Sequence, residues 1–548
     1  LTTKYDPVVT AWRERQETTI RLAMAGILVC SSVIYLHHLD RAPVYLGWDE
    51  ARTAVQGYLL ATTGRDMNGQ PTPLLFHITD PLIPNHSSNT WWQPTLFYLT
   101  AGVLLVVPLA EWSVRLPNVM LALVNIWLIY AVGRRLFRNP WHAVIAALLL
   151  ALTPAHFFFA RLAQDYFLSL TFALLWLHCL VRYLDHTTSG SSLELSVSFL
   201  RNRLWLTAAM GLVLGAGLYT HISSWITMPF YLGLTSLVLV VARRDWRPLI
   251  ALFTGFAMAM LPLLVFVYYT PTLLQDMFNN YGIVTTVNLA ERVTIYWEYF
   301  NPSYLFFSGG ADPMWATRRA GVFLLPMAVL LPCGIWSIIR HDVSIHRLVV
   351  LAGFLFAPVP IVVALPEAPH YATARGLLVA PFGALIGAAG AEFLASRSQL
   401  LARTAAGLLV FSVPVQFTLF ARDYFTDYQR RSAFRHDYLN VRGVVEFVIA
   451  RDHSAGVPRI YLSDTLGGGK ASQWRFHLLT HRRDDLWERT RYFSTSAVDG
   501  DLVQPGSLLV LTANDPRAEE LVQSGRYAPL HIVKDVTDSP AANILLRK

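Results

Sequence analysis

Charge is scarce in this chain. Only 15% of its 548 residues are Asp, Glu, Lys or Arg, 54% are apolar, and the mean hydropathy is +0.40. Soluble domains carry about a quarter charged residues, so this composition excludes a soluble protein and describes one that crosses a membrane several times. Cysteine is scarcer still: Cys30, Cys179 and Cys333 all lie in apolar segments without metal-ligand spacing. They define no zinc site, report nothing on redox compartment, and read as small core hydrophobes. There is no internal repeat, coiled coil or dinucleotide fingerprint. Gly467-Gly468-Gly469-Lys470 lacks both the glycine five residues before Gly469 and the following Ser/Thr of a phosphate loop, so it reads as a flexible loop. The formal charge of +8 would suggest nucleic acid, but the basic residues sit mostly at the ends of apolar runs. A topological role accounts for them, with no nucleic-acid partner.

What the chain has in abundance is apolar runs of spanning length, which need about 20 residues at about 1.5 Å rise. They lie near 21–39, 116–134, 141–159, 166–184, 204–220, 225–242, 248–268, 319–339, 348–365, 376–395 and 403–421. The polar, basic N-terminal stretch through Arg21 and the apolar run that follows read as a retained signal anchor. A twelfth run, Pro94 to Leu109, would invert every later loop if it spanned. With eleven spans and an inside N-terminus, the inner loops are roughly four times denser in Lys and Arg than the outer ones before residue 422. That parity makes 94–109 an interfacial or re-entrant helix, short and flanked by Pro94 and Pro108.

The expected architecture is a polytopic α-helical membrane module over 1–421, with about eleven transmembrane helices and a long first outer loop, 40–115. Surface helices are expected near 50–63 and 94–110, joined by the turn-rich Gly64-Arg65-Asp66-Met67-Asn68-Gly69-Gln70-Pro71. After Ala421 the composition becomes that of an ordinary soluble domain. Strand-like runs at 459–462 and 507–511 and helix-like stretches at 438–451 and 516–524 predict an extracytoplasmic α/β domain over 422–548.

Ionisable residues cluster at the outer mouths of the spans: Asp49, Glu50, Arg161, Asp165, His221, Asp312, Arg318, Arg319, His370 and Arg375. An ion-coupled transporter more often places such groups near mid-bilayer. Charge at the surface suits a substrate whose polar head lies at headgroup depth and whose tail stays in lipid. The plainer alternative is a set of solvated loop ends. Arg161 and Asp165 are four apart and, if helical, share a face: either an intrahelical ion pair, or Arg161 near a phosphate with Asp165 orienting a neighbour. Arg375 is a second phosphate candidate, or else an interfacial anchor. Trp48, Tyr58, Trp91 and Trp92 could stack on a sugar ring or form an aromatic belt. His77, Asp80 and His86 match no standard metal spacing.

The order of Trp48-Asp49-Glu50-Ala51, Gln93-Pro94-Thr95-Leu96-Phe97-Tyr98, Arg115-Leu116-Pro117-Asn118 and Gly133-Arg134-Arg135-Leu136-Phe137, then Arg161 with Asp165, resembles the glycosyltransferase-C superfamily. It is most similar to bacterial relatives of the protein O-mannosyltransferases and of the aminoarabinose transferase that modifies lipid A. Tyr299-Phe300-Asn301-Pro302, Leu305-Phe306-Phe307-Ser308-Gly309 and Arg375-Gly376-Leu377-Leu378 extend the resemblance.

The resemblance implies a multi-pass protein of a bacterial cytoplasmic membrane. It would transfer a sugar, with inversion, from a polyprenyl-phosphate carrier to a glycan, lipid or protein acceptor on the extracytoplasmic side. It implies Asp49 as general base, Glu50 orienting acceptor or loop, and Asp165 as a third catalytic residue. Arg161, Arg375, His370, His221, Tyr58 and Trp92 would bind substrate. No cofactor is required, and a divalent metal is the less favoured alternative. Where the family often has His or Glu before Pro-Pro, this chain reads Gln93-Pro94-Thr95, which removes an acidic or cationic contact. The competing class is a non-enzymatic transporter of lipid-linked sugar or polysaccharide.

Overall fold

The computed structural model describes residues 7–78, 90–188, 197–242, 245–281, 287–364, 373–463, 466, 470–493 and 503–548. It divides into two compact units, one of residues 1–37, 118–274 and 281–423, the other of 38–117, 275–280 and 424–548. The boundary at 423/424 falls close to the expected change after 421. The first outer loop, however, groups with the C-terminal residues rather than with the helical module.

The larger unit is helical. Among the described residues of the whole chain, seven helices are long and apolar enough to cross a membrane. A further pair, Trp141–Ala151 with Pro154–Ala160, is apolar enough to cross together but bent by 59°, the geometry of a broken span or a re-entrant loop; Pro154 opens the second segment because its missing N–H costs nothing in a first turn. Three more of the expected runs hold shorter apolar helices, Arg203–Gly217, Met327–Arg340 and Val379–Ala395. Every expected run therefore carries a helix, seven of them of spanning length among the described residues, or eight if the bent pair crosses as one span. The run from 319 starts late for a visible reason. Phe323 N donates to the Leu305 carbonyl at 2.8 Å, so it bonds to the π-helical turn Tyr304–Ser308 instead of to a carbonyl one turn back in its own run. Leu22, Val33, Met258 and Phe411 are each about two-thirds exposed on these helices, a distribution that suits hydrocarbon rather than water. The basic ends are ion-paired: Arg134 with Glu17 at 2.8 Å, Arg135 with Asp185 at 2.7 Å, and Arg347 with Glu392.

The smaller unit begins with the first loop. Helix Trp48–Thr63 ends on Gly64 at φ +69°, which donates to the Leu60 carbonyl, the left-handed cap that glycine adopts most cheaply. The Asp66 side chain then accepts from Asn68 N at 2.9 Å and Gln70 N at 2.8 Å, fixing the expected turn as an Asx turn. Strands β1 (Phe76–Ile78) and β2 (Thr90–Trp92) pair antiparallel and lead into helix Thr95–Leu104. That helix lies so close to the first that a Cβ on Gly57 would sit 2.7 Å from Thr100 Cγ2. Leu60, Phe76, Ile78, Phe97 and Ala101 form the loop's core.

The C-terminal residues form a five-stranded mixed sheet of β3 (Ile460–Ser463), β4 (Thr490–Phe493), β5 (Leu508–Thr512), β6 (Tyr527–Lys534) and β7 (Pro540–Arg547), in the order β4-β3-β5-β7-β6. Strand β3 runs parallel to β4 and β5, and β7 antiparallel to β5 and β6. Ile460, Leu462, Leu508 and Val510 join one core with Val444 and Trp474, while Tyr461, Leu509 and Leu511 join another with Leu521. Alternation of strand side chains puts an apolar layer on both faces. Helices Val441–Ala455 and Arg517–Gln523 occupy the stretches expected to be helical. Lys470 is buried and paired with Asp437 at 2.6 Å, so its ammonium serves the fold and not a phosphate.

Candidate functional site

Asp49 and Glu50 lie in the first turn of helix Trp48–Thr63, where the exposed N–H groups and the helix dipole favour carboxylates. Adjacent in sequence, they have opposite environments. The Glu50 side chain is 1% exposed and fully engaged. It accepts from Gly47 N at 3.0 Å, Arg115 Nε at 2.9 Å and Arg115 Nη2 at 3.1 Å. Arg115 is itself buried and donates also to the carbonyls of Leu39, Pro43 and Tyr45 at 2.9 to 3.1 Å. These Glu50 hydrogen bonds go to the first loop and to Arg115. Asp49 keeps 17% of its side chain open and has Arg52 Nη1 at 3.5 Å. Burial raises its pKa above the ordinary Asp range, against the opposing charge of Arg52. The result is one fixed carboxylate and one accessible carboxylate with a guanidinium beside it.

Arg52 also lies 5.6 Å from the centre of the Trp92 ring, which stacks parallel on Phe97 at 6.0 Å. Among the described residues, Trp92 Nε1 and the buried Gln93 Nε2 have no hydrogen-bond partner. Unsatisfied buried donors are costly in a finished fold and are where a ligand oxygen is expected. Tyr58 is half-buried on the same helix as Asp49. Trp91 is committed, its Nε1 donating to Asp276 at 3.2 Å and its ring stacked on His77 at 4.6 Å. Asp80 and His86 lie outside the described residues, and among those described no group of three His, Cys, Asp or Glu could hold a metal.

In the helical unit, the shared helix face expected for Arg161 and Asp165 is not formed. Helix Pro154–Ala160 stops before Arg161, and a new 3-10 turn begins at Asp165. The two residues share no helix face because the helix is interrupted between them. Arg161 is fully buried, donates to the Tyr35 carbonyl and lies 5.4 Å from the Phe157 ring centre. It thereby caps the C-terminal end of helix Pro7–Leu36, a favourable place for a cation. His221 is buried, hydrogen-bonds Ser223 Oγ at 2.7 Å and stacks on Tyr166 at 4.3 Å. Burial, with a smaller push from Arg375, brings its pKa down to about 3, so it is neutral at physiological pH. Arg375 is partly exposed in the turn ahead of helix Val379–Ala395. His370 lies outside the described residues.

Sequence reasoning missed the partners: Arg52 for Asp49, Arg115 for Glu50, and the unsatisfied Gln93. Arg52 was recoverable as an i,i+3 neighbour of Asp49. The Arg115 pairing bridges 65 residues and left no local signal.

Residues 88–269 match the family described as dolichyl-phosphate-mannose-protein mannosyltransferase. No curated protein sequence matches the chain. Among solved structures, ArnT from Cupriavidus metallidurans bound to undecaprenyl phosphate is similar at 12% identity and TM-score 0.54, over 96% of this chain and 98% of that one. Its apo form is similar at 14% identity and TM-score 0.55, over 95% and 97%. The apo Archaeoglobus fulgidus oligosaccharyltransferase is similar at 13% identity and TM-score 0.50, over 85% of this chain and 64% of that one. The likeness runs along nearly the whole chain and fixes the fold, with its apolar helices and C-terminal sheet.

Proposed function

We propose, for a chain with the glycosyltransferase-C fold and a multi-pass membrane unit, inverting transfer of a sugar from a polyprenyl-phosphate carrier to an acceptor hydroxyl on the extracytoplasmic face. The observation that carries this reading is the accessible Asp49 carboxylate, held at a helix start by its buried neighbour Glu50. The fold is shared with a protein solved bound to undecaprenyl phosphate, and the family match to a dolichyl-phosphate-mannose enzyme supports the same donor class.

In this mechanism the acceptor oxygen attacks the anomeric carbon opposite the phosphate while Asp49 takes its proton, and the carbon–oxygen bond to the carrier breaks with its electron pair leaving on the phosphate. A carboxylate suffices as base, because the hydroxyl becomes acidic only as the new bond forms in an oxocarbenium-like transition state. Arg375, partly exposed, is the guanidinium assigned to the carrier phosphate, whose growing charge it stabilises. Arg161, whose Nη1 donates to the Tyr35 carbonyl, is assigned a supporting part beside the carrier phosphate. Trp92 and Tyr58 are assigned to the sugar face. Asp165 is proposed to orient a neighbouring group, and His221, neutral, to contact substrate by hydrogen bonding.

The class is tested with the full chain in proteoliposomes supplied with labelled polyprenyl-phosphate hexose or pentose and a cell-envelope acceptor fraction. Covalent label on the acceptor with release of free polyprenyl phosphate is the expected result. Label crossing the bilayer without a new glycosidic bond would establish a transporter instead. Arg375→Ala should weaken binding of a short-chain polyprenyl phosphate by about 10- to 100-fold, the worth of a charged hydrogen bond of about 1.5–3 kcal/mol. An unchanged Kd removes Arg375 from the phosphate site.

A further inference from the structure

The segment that delivers Asp49, residues 39–46, forms no regular element, yet side chains satisfy the backbone carbonyls of Leu39 and of 42–46. Arg115 takes those of Leu39, Pro43 and Tyr45. Three more are taken from the far end of the chain: Ala42 by Tyr424 Oη at 3.0 Å, Val44 by Arg442 Nη2 at 3.0 Å, and Leu46 by Gln473 Nε2 at 2.6 Å. Gln473 is 1% exposed and its amide also donates to the His436 carbonyl at 3.2 Å. Arg442 is ion-paired with Glu111 and lies 5.9 Å from the Tyr45 ring centre. All of these residues belong to one compact unit. A buried carbonyl must be paired, and here the pairing replaces a strand ladder.

We propose that Gln473 and Arg442 are positioning residues for the proposed base: the C-terminal domain is a clamp that fixes the backbone from which Asp49 projects. The inference rests on the reading of Asp49 as base, and it deepens that reading by giving the C-terminal domain a part in transfer. Leu46 is one residue before the helix cap Gly47 and three before Asp49, so releasing its carbonyl frees the rotation and depth of the first helical turn. A base displaced by about 1 Å loses on the order of 10²-fold in rate without any loss of donor affinity.

Gln473→Ala and the near-isosteric Gln473→Glu, which replaces the donor amide with a carboxylate facing two carbonyls, are compared with the wild-type full chain in detergent. Hydrogen exchange read by mass spectrometry should accelerate about tenfold in peptides covering 43–55 and stay unchanged in those of β5 and β7. In the transfer assay, kcat should fall about 10- to 100-fold while the donor KM stays within about twofold. Wild-type exchange at 43–55 in both variants would overturn the clamp. Faster exchange with unchanged kcat would overturn its positioning role. A wild-type protein that transfers no sugar from any polyprenyl-phosphate donor would sink the functional reading instead, and the exchange data would still decide whether the clamp exists.

Discussion

Asp49→Asn should lower kcat by at least about 10²- to 10⁴-fold, the usual contribution of a positioned general base, while leaving membrane insertion and carrier affinity at wild-type levels. The amide keeps the size and approximate placement of the carboxylate beside Arg52, so what is removed is the capacity to accept a proton. Turnover within tenfold of wild type would take the base role from Asp49. The pH profile gives an independent reading. Burial raises the Asp49 pKa, and the Arg52 charge holds that rise back. The base acts deprotonated, so kcat/KM should fall as pH drops through a value above the ordinary Asp range of about 3.9. Arg52→Ala removes the opposing charge and should move that acidic limb to still higher pH. A limb that moves down, or does not move, would mean another group titrates.

The second large effect is structural. Arg115→Met should cost about 3–5 kcal/mol, because it strands the buried Glu50 carboxylate and leaves the Leu39, Pro43 and Tyr45 carbonyls without their donor. Total folding stability is typically about 5–15 kcal/mol, so a sharply lower melting temperature in detergent and poor recovery of folded protein are the expected observations. The double variant Arg115→Met with Glu50→Gln removes both charges together. It should recover part of the loss, since an uncompensated buried charge is the larger penalty. Wild-type melting of Arg115→Met alone would show that the pair does not hold the loop.

The two experiments separate roles that sequence adjacency conceals. Asp49 and Glu50 are neighbours of the same chemical class, in the same turn of the same helix. One is partly buried but still reachable, its pKa raised by that burial, and the other is closed and held by Arg115. A variant of Glu50 that lost activity would, taken alone, look catalytic; the melting measurement distinguishes the two.

The sequence by itself determined the features that depend on neighbours along the chain. Runs of about 20 apolar residues marked the spans, since burial in hydrocarbon depends on local composition. Two helices and the turn between them were legible in the first loop. β3 and β5 were legible as short apolar runs, though β4, β6 and β7, with more polar and less regular patterns, were not. Only the tertiary structure decided that residues 38–117 group with 424–548. It alone showed that the helix is interrupted between Arg161 and Asp165, that Glu50 meets Arg115, and that Gln473 reaches Leu46 across 427 residues. Those pairings depend on where distant segments are carried by the packing of whole helices, and neither hydropathy nor periodicity encodes a partner that far away.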